Sequence, residues 1–321
     1  RENYDVEGFG YHFGYGLKAA GLFFNHGLPK DALHLLLGDG RVGQAIITSQ
    51  ALDLVVFTGS LKTAKSIHNS LSNKPGKIVP LIAETGGLNS MVVDSSALIE
   101  RACDDIMRSA FNSAGQRCSA LRLLLVHETI YEELILMLKG MMSELIIGNP
   151  SNSSVDMGPI ISVEAAQELY DYLDKPDPER LAIFQPQAPD EHRKQWFLPT
   201  LIELKSINTL NEEKFGPILH VLKFSEKTLD SHLEQITAKG FGLTFGIHTR
   251  IDVKAIHASK LVSAGNTYIN RDIIGAVVES QPFGGKNLSG TGFKAGGPNY
   301  LMQFTDERTI SINTCLLYTS D

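Results

Sequence analysis

Apolar and polar positions follow two periods along this chain, and their alternation predicts strands interleaved with helices. Leu22 to His26 closes an amphipathic helical stretch that Gly27 can terminate, and Leu35–Leu37 reads as a short buried strand. Residues 44–52 read as a helix and Leu54–Phe57 as a second buried strand. Thr58–Gly59–Ser60 then turns the chain into a helix that runs to about Leu71. Such alternation predicts a parallel sheet with helices on its faces. Val79–Ala83 is again strand-like, with Glu84–Thr85–Gly86–Gly87 at its carboxyl end. Ser96–Phe111 reads as a helix, with Leu98, Ala102, Ile106 and Ala110 at helical spacing, halted by Asn112–Ser113–Ala114–Gly115. Another helix is predicted from about Thr129 to Leu145. Pro176, Pro178, Pro186, Pro189 and Pro199 mark residues 176–199 as surface loop. Strands follow near Ile218–Phe224, Leu243–His248 and Thr267–Asn270, with helices at about 229–238 and 252–262. The glycine–aromatic run Gly8–Gly16 carries no clear element. Arg308–Asn313 is a strand candidate, and Cys315–Asp321 continues no pattern.

Composition narrows the class. The 321 residues are 43% hydrophobic and 20% charged, an ordinary globular mixture long enough for one large or two medium domains. A formal charge of −7 lacks the concentrated positive surface that a nucleic-acid partner requires. Apolar runs such as Leu123–Val126 and Leu134–Leu138 are too short for a transmembrane segment, and Arg1 to Gly10 lack the basic and apolar regions of a secretory signal. Cys103, Cys118 and Cys315 are odd in number and far apart. They form neither a disulfide framework nor a CxxC metal site, and the histidines show no ligand spacing, so no metal is expected. A reducing, cytoplasmic setting is the simple reading.

Several short segments carry chemistry, each with a plainer alternative. Gly38–Asp39–Gly40–Arg41–Val42–Gly43 matches a dinucleotide-binding expression, but no acidic residue closes a following strand, so a plain turn is favoured. Phe57–Thr58–Gly59–Ser60 joins a strand to a helix start, which suits a phosphate; equally, Ser60 can simply cap its helix. Glu84 sits where a strand ends, a good place for acid–base work, although a solvated loop carboxylate would look the same. Cys118 lies among small and polar residues, with Arg117 beside it to favour a thiolate; a small core residue is the alternative. Glu213–Lys214–Phe215–Gly216–Pro217 and Gln281–Pro282–Phe283–Gly284–Gly285 are, by themselves, sharp turns holding one aromatic each.

The order of these segments says more than any one of them. FTGS, ETGG, GQRCS, EKFGP and QPFGG, in that succession, resemble the aldehyde dehydrogenase superfamily over roughly Ala20 to Asn313. A finer likeness is to L-glutamate γ-semialdehyde (pyrroline-5-carboxylate) dehydrogenases, especially the dehydrogenase portion of bacterial proline utilisation A. It rests on Ile82–Gly87, Val93–Leu98, Ser113–Arg122, Asn270–Arg271, Gly275–Val278, Ser289–Gly292 and Lys294–Gly297.

The resemblance implies an α/β fold: an incomplete Rossmann-like cofactor domain to about residue 85, an α/β catalytic domain over 86–300, and an oligomerisation arm with a non-matching tail over 301–321. It implies NAD as cofactor, held by Phe57, Thr58, Gly59, Ser60, Gly86, Glu213 and Phe215. Cys118 would be the nucleophile and Glu84 the base that activates water. Ser119, Gly275 and Ala276 would bind the substrate's α-carboxylate, with Phe283 over its aliphatic chain. A homo-oligomer and an upstream proline dehydrogenase domain in the same polypeptide are further implications. The departures count too. The family's oxyanion asparagine falls upstream, its Lys–Pro–x–Glu segment is absent near Gly8–Gly16, and Glu279 stands where a small residue is expected. Losing one oxyanion donor costs about 10²–10³ in rate, so the resemblance implies a fragment inactive on its own. Three rival readings remain open: a different aldehyde, a non-catalytic member of the superfamily, and a cysteine hydrolase using His127 or His220.

Overall fold

A computed structural model of the chain describes residues 10–186, 195–275, 277 and 279–313; Ala276 and Cys315 lie outside the described residues. The first part carries α1 (Gly10–Asn25), α2 (Gly40–Thr48), β1 (Val55–Gly59), α3 (Leu61–Ser72) and β2 (Leu81–Thr85). Two of these helices start where a side chain satisfies a free N–H. Asp39 accepts from the Arg41 amide at the head of α2, and Ser60 accepts from the Thr63 amide at the head of α3. β1 and β2 pair in parallel, with Phe57 beside Ala83 and Gly59 beside Thr85. The free edge of β2 is clasped by the chain around Thr291, whose N–H donates to the Ala83 carbonyl at 3.0 Å. In return the Ala83 N–H donates to the Thr291 hydroxyl at 2.7 Å.

The second part holds β3 (Ser90–Val93), α4 (Ile99–Phe111), β4 (Leu123–His127), α5 (Tyr131–Ser143), α6 (Val163–Asp174), β5 (Arg180–Phe184), β6 (Thr200–Leu204), β7 (Ile218–Phe224), α7 (Leu229–Ala238), β8 (Thr244–His248), α8 (Asp252–Leu261) and β9 (Asn266–Ile269). Its seven strands run in the order β5-β6-β7-β4-β3-β8-β9, parallel except for the β5–β6 pair. Every residue of β3, β4 and β8 is buried, as expected of parallel strands covered on both faces. Period-two alternation divides them between two cores. Met91, Val93, Leu124 and Val126 pack with Ala102, Ile106 and Ala110 of α4 and Leu134 and Leu138 of α5. On the opposite face Val92, Leu123, Leu125 and Phe245 pack with Leu169 of α6, Leu233 of α7 and Ala258 of α8. Each such leucine withdrawn from water stabilises the fold by about 1.5–3 kcal/mol.

The structure corrects several sequence expectations. Leu35–Leu37 is not a strand and lies exposed, because three apolar residues flanked by loop find no ladder partner. The glycine–aromatic run belongs to α1 from Gly10 onward: the helix formed by Leu17–Asn25 propagates back through the glycines. Residues 176–199 are not loop throughout, since β5 lies there against β6 despite the neighbouring prolines; 187–194 are outside the described residues. Residues 308–313 form no strand; Ile310 and Ile312 alternate correctly but are exposed, and no ladder reaches them among the described residues. The Gly38–Gly43 run is the cap and first turn of α2 rather than a free turn. Among the described residues no helix is long and apolar enough to cross a membrane.

Candidate active site

A cleft of about 1110 Å³ lies where the carboxyl ends of β1 and β2 face the segments that precede β4 and β7. One wall is Thr58, Gly59 and Ser60 at the start of α3, with Glu84 and Gly86 at the end of β2. Cys118 and Ser119 lie opposite, Glu213 and Phe215 form a third side, and Gly275 and Phe283 complete the rim. The site residues expected from the sequence thus converge, with two exceptions. Phe57 is not on the wall; its ring packs against Gly59 from behind. Ala276 is outside the described residues. Ser60 caps α3 and also lines the cleft.

The Cys118 loop is built by a sharp reversal. After α4 ends at Phe111, Ser113, Ala114 and Gly115 all take positive φ (56°, 53° and 64°). For the two non-glycine residues this left-handed backbone costs about 1–2 kcal/mol each. At Gly115 space as well as φ excludes a side chain, because an added Cβ would lie 2.6 Å from the Gly216 carbonyl carbon. The Cys118 loop and the Glu213–Pro217 turn therefore touch backbone to backbone. Gln116 braces the loop from outside, donating to the Pro159 carbonyl at 3.1 Å and accepting from the Ile161 amide at 2.8 Å. Beneath it, buried Asn89 donates to the Cys118 carbonyl at 2.7 Å and to the Ala120 carbonyl at 2.9 Å. Its carboxamide oxygen accepts from the Thr244 amide at 3.1 Å. One side chain thus locks the Cys118 backbone to β8.

Electrostatics separate the titrating groups. Burial pushes the Cys118 thiol up, and Glu213 and Glu84 add to that, while the amides of Ser119 and Cys118 itself favour the thiolate. Arg117 does not serve the sulfur as anticipated; its Nε donates to the Ser113 hydroxyl at 3.0 Å and the residue is exposed. Glu84 accepts from the Gly285 amide at 2.9 Å, yet burial outweighs that bond and Lys294's charge and raises its pKa to about 7. A carboxyl titrating there is suited to take a proton from water near neutral pH. Glu213 is mostly buried and pairs with Arg122 at 2.9 Å. Gly86 makes room for it: an added Cβ would sit 2.6 Å from the Glu213 Cδ and closer still to Oε2.

Among the described residues no histidine is on the cleft wall. His127 bonds Thr129 at 2.9 Å, and His220 is enclosed between the Tyr172 hydroxyl and the Arg122 carbonyl. Neither histidine weighed for a cysteine hydrolase therefore reaches Cys118. Asn89 and Arg122 carry weight that sequence reasoning did not assign. A lone amide entering the apolar run Leu88–Val93 was a usable signal for the first; for the second there was none beyond its place at the end of the Ser113–Arg122 segment.

The chain belongs to the aldehyde dehydrogenase family, whose model matches residues 14–310, and its two-part α/β architecture with one cysteine on the cleft wall agrees with that. Within that family, it is 43% identical over 292 residues to the bifunctional protein PutA of Klebsiella aerogenes, covering 88% of this chain and 22% of that protein. It is 33% identical over 293 residues to 1-pyrroline-5-carboxylate dehydrogenase of Bacillus licheniformis, covering 89% of this chain and 56% of the other. Among solved structures, a bifunctional proline utilization A protein superposes with a TM-score of 0.89 at 47% identity, over 94% of this chain and 31% of its own. The chain therefore spans less than a quarter of the length of the curated PutA relative and a little over half that of the dehydrogenase.

Proposed function

We propose that this chain supplies the dehydrogenase site of an enzyme that oxidises L-glutamate γ-semialdehyde to L-glutamate with NAD, the second step of proline breakdown. The observation that carries the reading is the convergence of Cys118, Glu84 and Glu213 on one cleft whose rim also holds Ser119, Gly275 and Phe283. The residues present fit a dinucleotide. The start of α3 turns backbone donors and a helix N-terminus toward the cleft, and Gly86 admits the Glu213 carboxylate beside it.

In this reading Gly59 and Ser60 meet the pyrophosphate, Glu213 binds the nicotinamide ribose and Phe215 packs beside it. NAD, when bound, supplies the hydride acceptor. The Cys118 thiolate adds to the aldehyde carbon to give a thiohemiacetal, and the Cys118 N–H faces the new oxyanion. Loss of the carbon-bound hydrogen as hydride leaves a thioester on Cys118. Glu84 takes a proton from water, the hydroxide adds to the thioester carbonyl, and the sulfur departs as thiolate with release of the carboxylic acid. Ser119 and the backbone of Gly275 and Ala276 receive the substrate's α-carboxylate. A substrate lacking it leaves those donors unpaired, which sets the preference against plain alkyl aldehydes.

The domain division at about residues 85 and 300, a homo-oligomer, a proline dehydrogenase domain in the same polypeptide and a cytoplasmic setting belong to the same proposal. Its support is the similarity to PutA proteins and to 1-pyrroline-5-carboxylate dehydrogenases. The test is NADH formation from glutamate, succinate and betaine aldehydes by the polypeptide carrying this segment, beside its Cys118→Ala variant. Glutamate semialdehyde is the best substrate, and the variant is silent. Preference for another aldehyde, or turnover without Cys118, refutes the reading.

A further inference from the structure

Arg122 immediately precedes β4 and is buried, its side chain 2% exposed. A guanidinium so enclosed must spend its donors within the protein, and here the partners lie on two functional segments. Nη2 donates to Glu213 Oε1 at 2.9 Å and Nε to the same oxygen at 3.3 Å. Nη2 also reaches the Arg117 carbonyl, one residue before Cys118, at 3.2 Å, and Nη1 reaches the Gly216 carbonyl at 2.9 Å. The cation lies 5.5 Å from the centre of the Phe215 ring. Both bonds to Glu213 end on Oε1. Oε2 is the atom nearest an added Gly86 Cβ, which puts it against the cleft wall.

Arg122 is itself held from behind. Its carbonyl can only accept, so His220 Nδ1 donates to it at 3.1 Å, which leaves Nε2 to accept from the Tyr172 hydroxyl at 2.7 Å. The Tyr172 ring lies between Arg180 and Lys214, whose charges sit 4.1 and 4.6 Å from its centre. The chain from α6 through β7 thus fixes the guanidinium before any ligand arrives.

We propose that Arg122 is a positioning residue for cofactor binding: it occupies one oxygen of Glu213, leaves the other for a ribose, and ties that carboxylate to the nucleophile's loop. The proposal rests on the reading of Glu213 as the ribose ligand. It requires a planar fork, which lysine lacks. It also requires the Arg122 charge to offset the burial that raises the Glu213 carboxyl, an effect the Gly87 amide opposes as well. Among the described residues, the other charged or titratable groups that line the cleft with Glu213 or neighbour it are Glu84 from β2, Cys118 and Arg117 from the loop before β4, Glu168 from α6, Lys62 from α3, and Glu212 and Lys214.

The experiment titrates NAD into the full chain at about pH 7 and about pH 9, each variant being referred to wild type at the same pH. Losing a hydrogen-bonded charge partner predicts about tenfold or greater weakening for Arg122→Met at the lower pH. Much of that returns at the higher pH, where the unpaired Glu213 ionises. Glu213→Gln is weakened at both, and the double variant binds no worse than Glu213→Gln alone. Arg122→Lys, with the charge but not the fork, loses part of the affinity without the pH dependence. Wild-type affinity in Arg122→Met overturns the proposal, as does a pH-independent loss that adds to that of Glu213→Gln. Should Arg122→Met not fold, wild-type affinity in Arg122→Lys overturns it instead. Unchanged binding in Glu213→Gln refutes the ribose reading and the proposal with it; weakening there but not at Arg122 refutes the proposal alone.

Discussion

Gly86→Ala tests the geometry around Glu213 with the smallest perturbation available. The new methyl would lie 2.6 Å from the Glu213 carboxyl carbon and 3.0 Å from Oε1, against about 3.5–4.0 Å for an ordinary carbon contact. The carboxylate must withdraw by roughly 1 Å or more. It cannot do so and keep both bonds to Arg122, because the guanidinium is held by the Gly216 and Arg117 carbonyls as well. Weakening a bond to a charged group removes about 1.5–3 kcal/mol, which for a ligand of Glu213 means about 10- to 150-fold in affinity. Crowding a packed site adds about 1–3 kcal/mol of lost stability. The assay is NAD titration together with denaturant unfolding, beside Gly140→Ala as control. Gly140 lies in α5 with nothing within 4 Å of an added Cβ, so that change leaves NAD binding alone and stabilises the helix by up to about 1 kcal/mol. Gly86→Ala with wild-type affinity and wild-type stability refutes the claim that this glycine exists to admit Glu213.

Two further outcomes follow from the same structure. Glu84 is raised from 4.5 to about 7, so the folded state holds its proton and stability falls as pH rises from the lower value through the upper one. Thioester hydrolysis needs the carboxylate and rises with a midpoint near that upper value; Glu84→Gln abolishes hydrolysis and raises the unfolding midpoint relative to wild type at alkaline pH, whereas a hydrolysis midpoint near that of a free carboxyl refutes the assignment. Glu279 is exposed and holds φ at 70° in the turn where Val277 and Gln281 pair, so Glu279→Gly stabilises by about 1 kcal/mol in denaturant unfolding, and an unchanged midpoint removes the strain argument.

The contrast between Arg117 and Arg122 shows what the sequence could carry and what it could not. Elements whose signal is local were legible: α3 with its Ser60 cap, α4 with its helical spacing, and β7, β8 and β9 as apolar runs between turns. Their order gave the α/β class, and the ordered motifs gave the cleft wall almost residue for residue. β3 was missed because its short run is hemmed in by the turn-like segments Gly86–Asn89 and Asp94–Ser96, and residues 308–313 were over-read because alternation says nothing about a partner strand. The site's support was hidden for a different reason. Arg117 adjoins Cys118 in sequence and was read as its charge partner, but the left-handed turn at 113–115 carries it outward to Ser113. Arg122 stands four residues beyond Cys118, yet β4 begins there and aims it back beneath the loop at a carboxylate 91 positions away. Charge neighbours are set by where strands begin. A chemical role that depends on a long-range pair becomes visible only when the sheet has brought both halves of the pair to the same cleft.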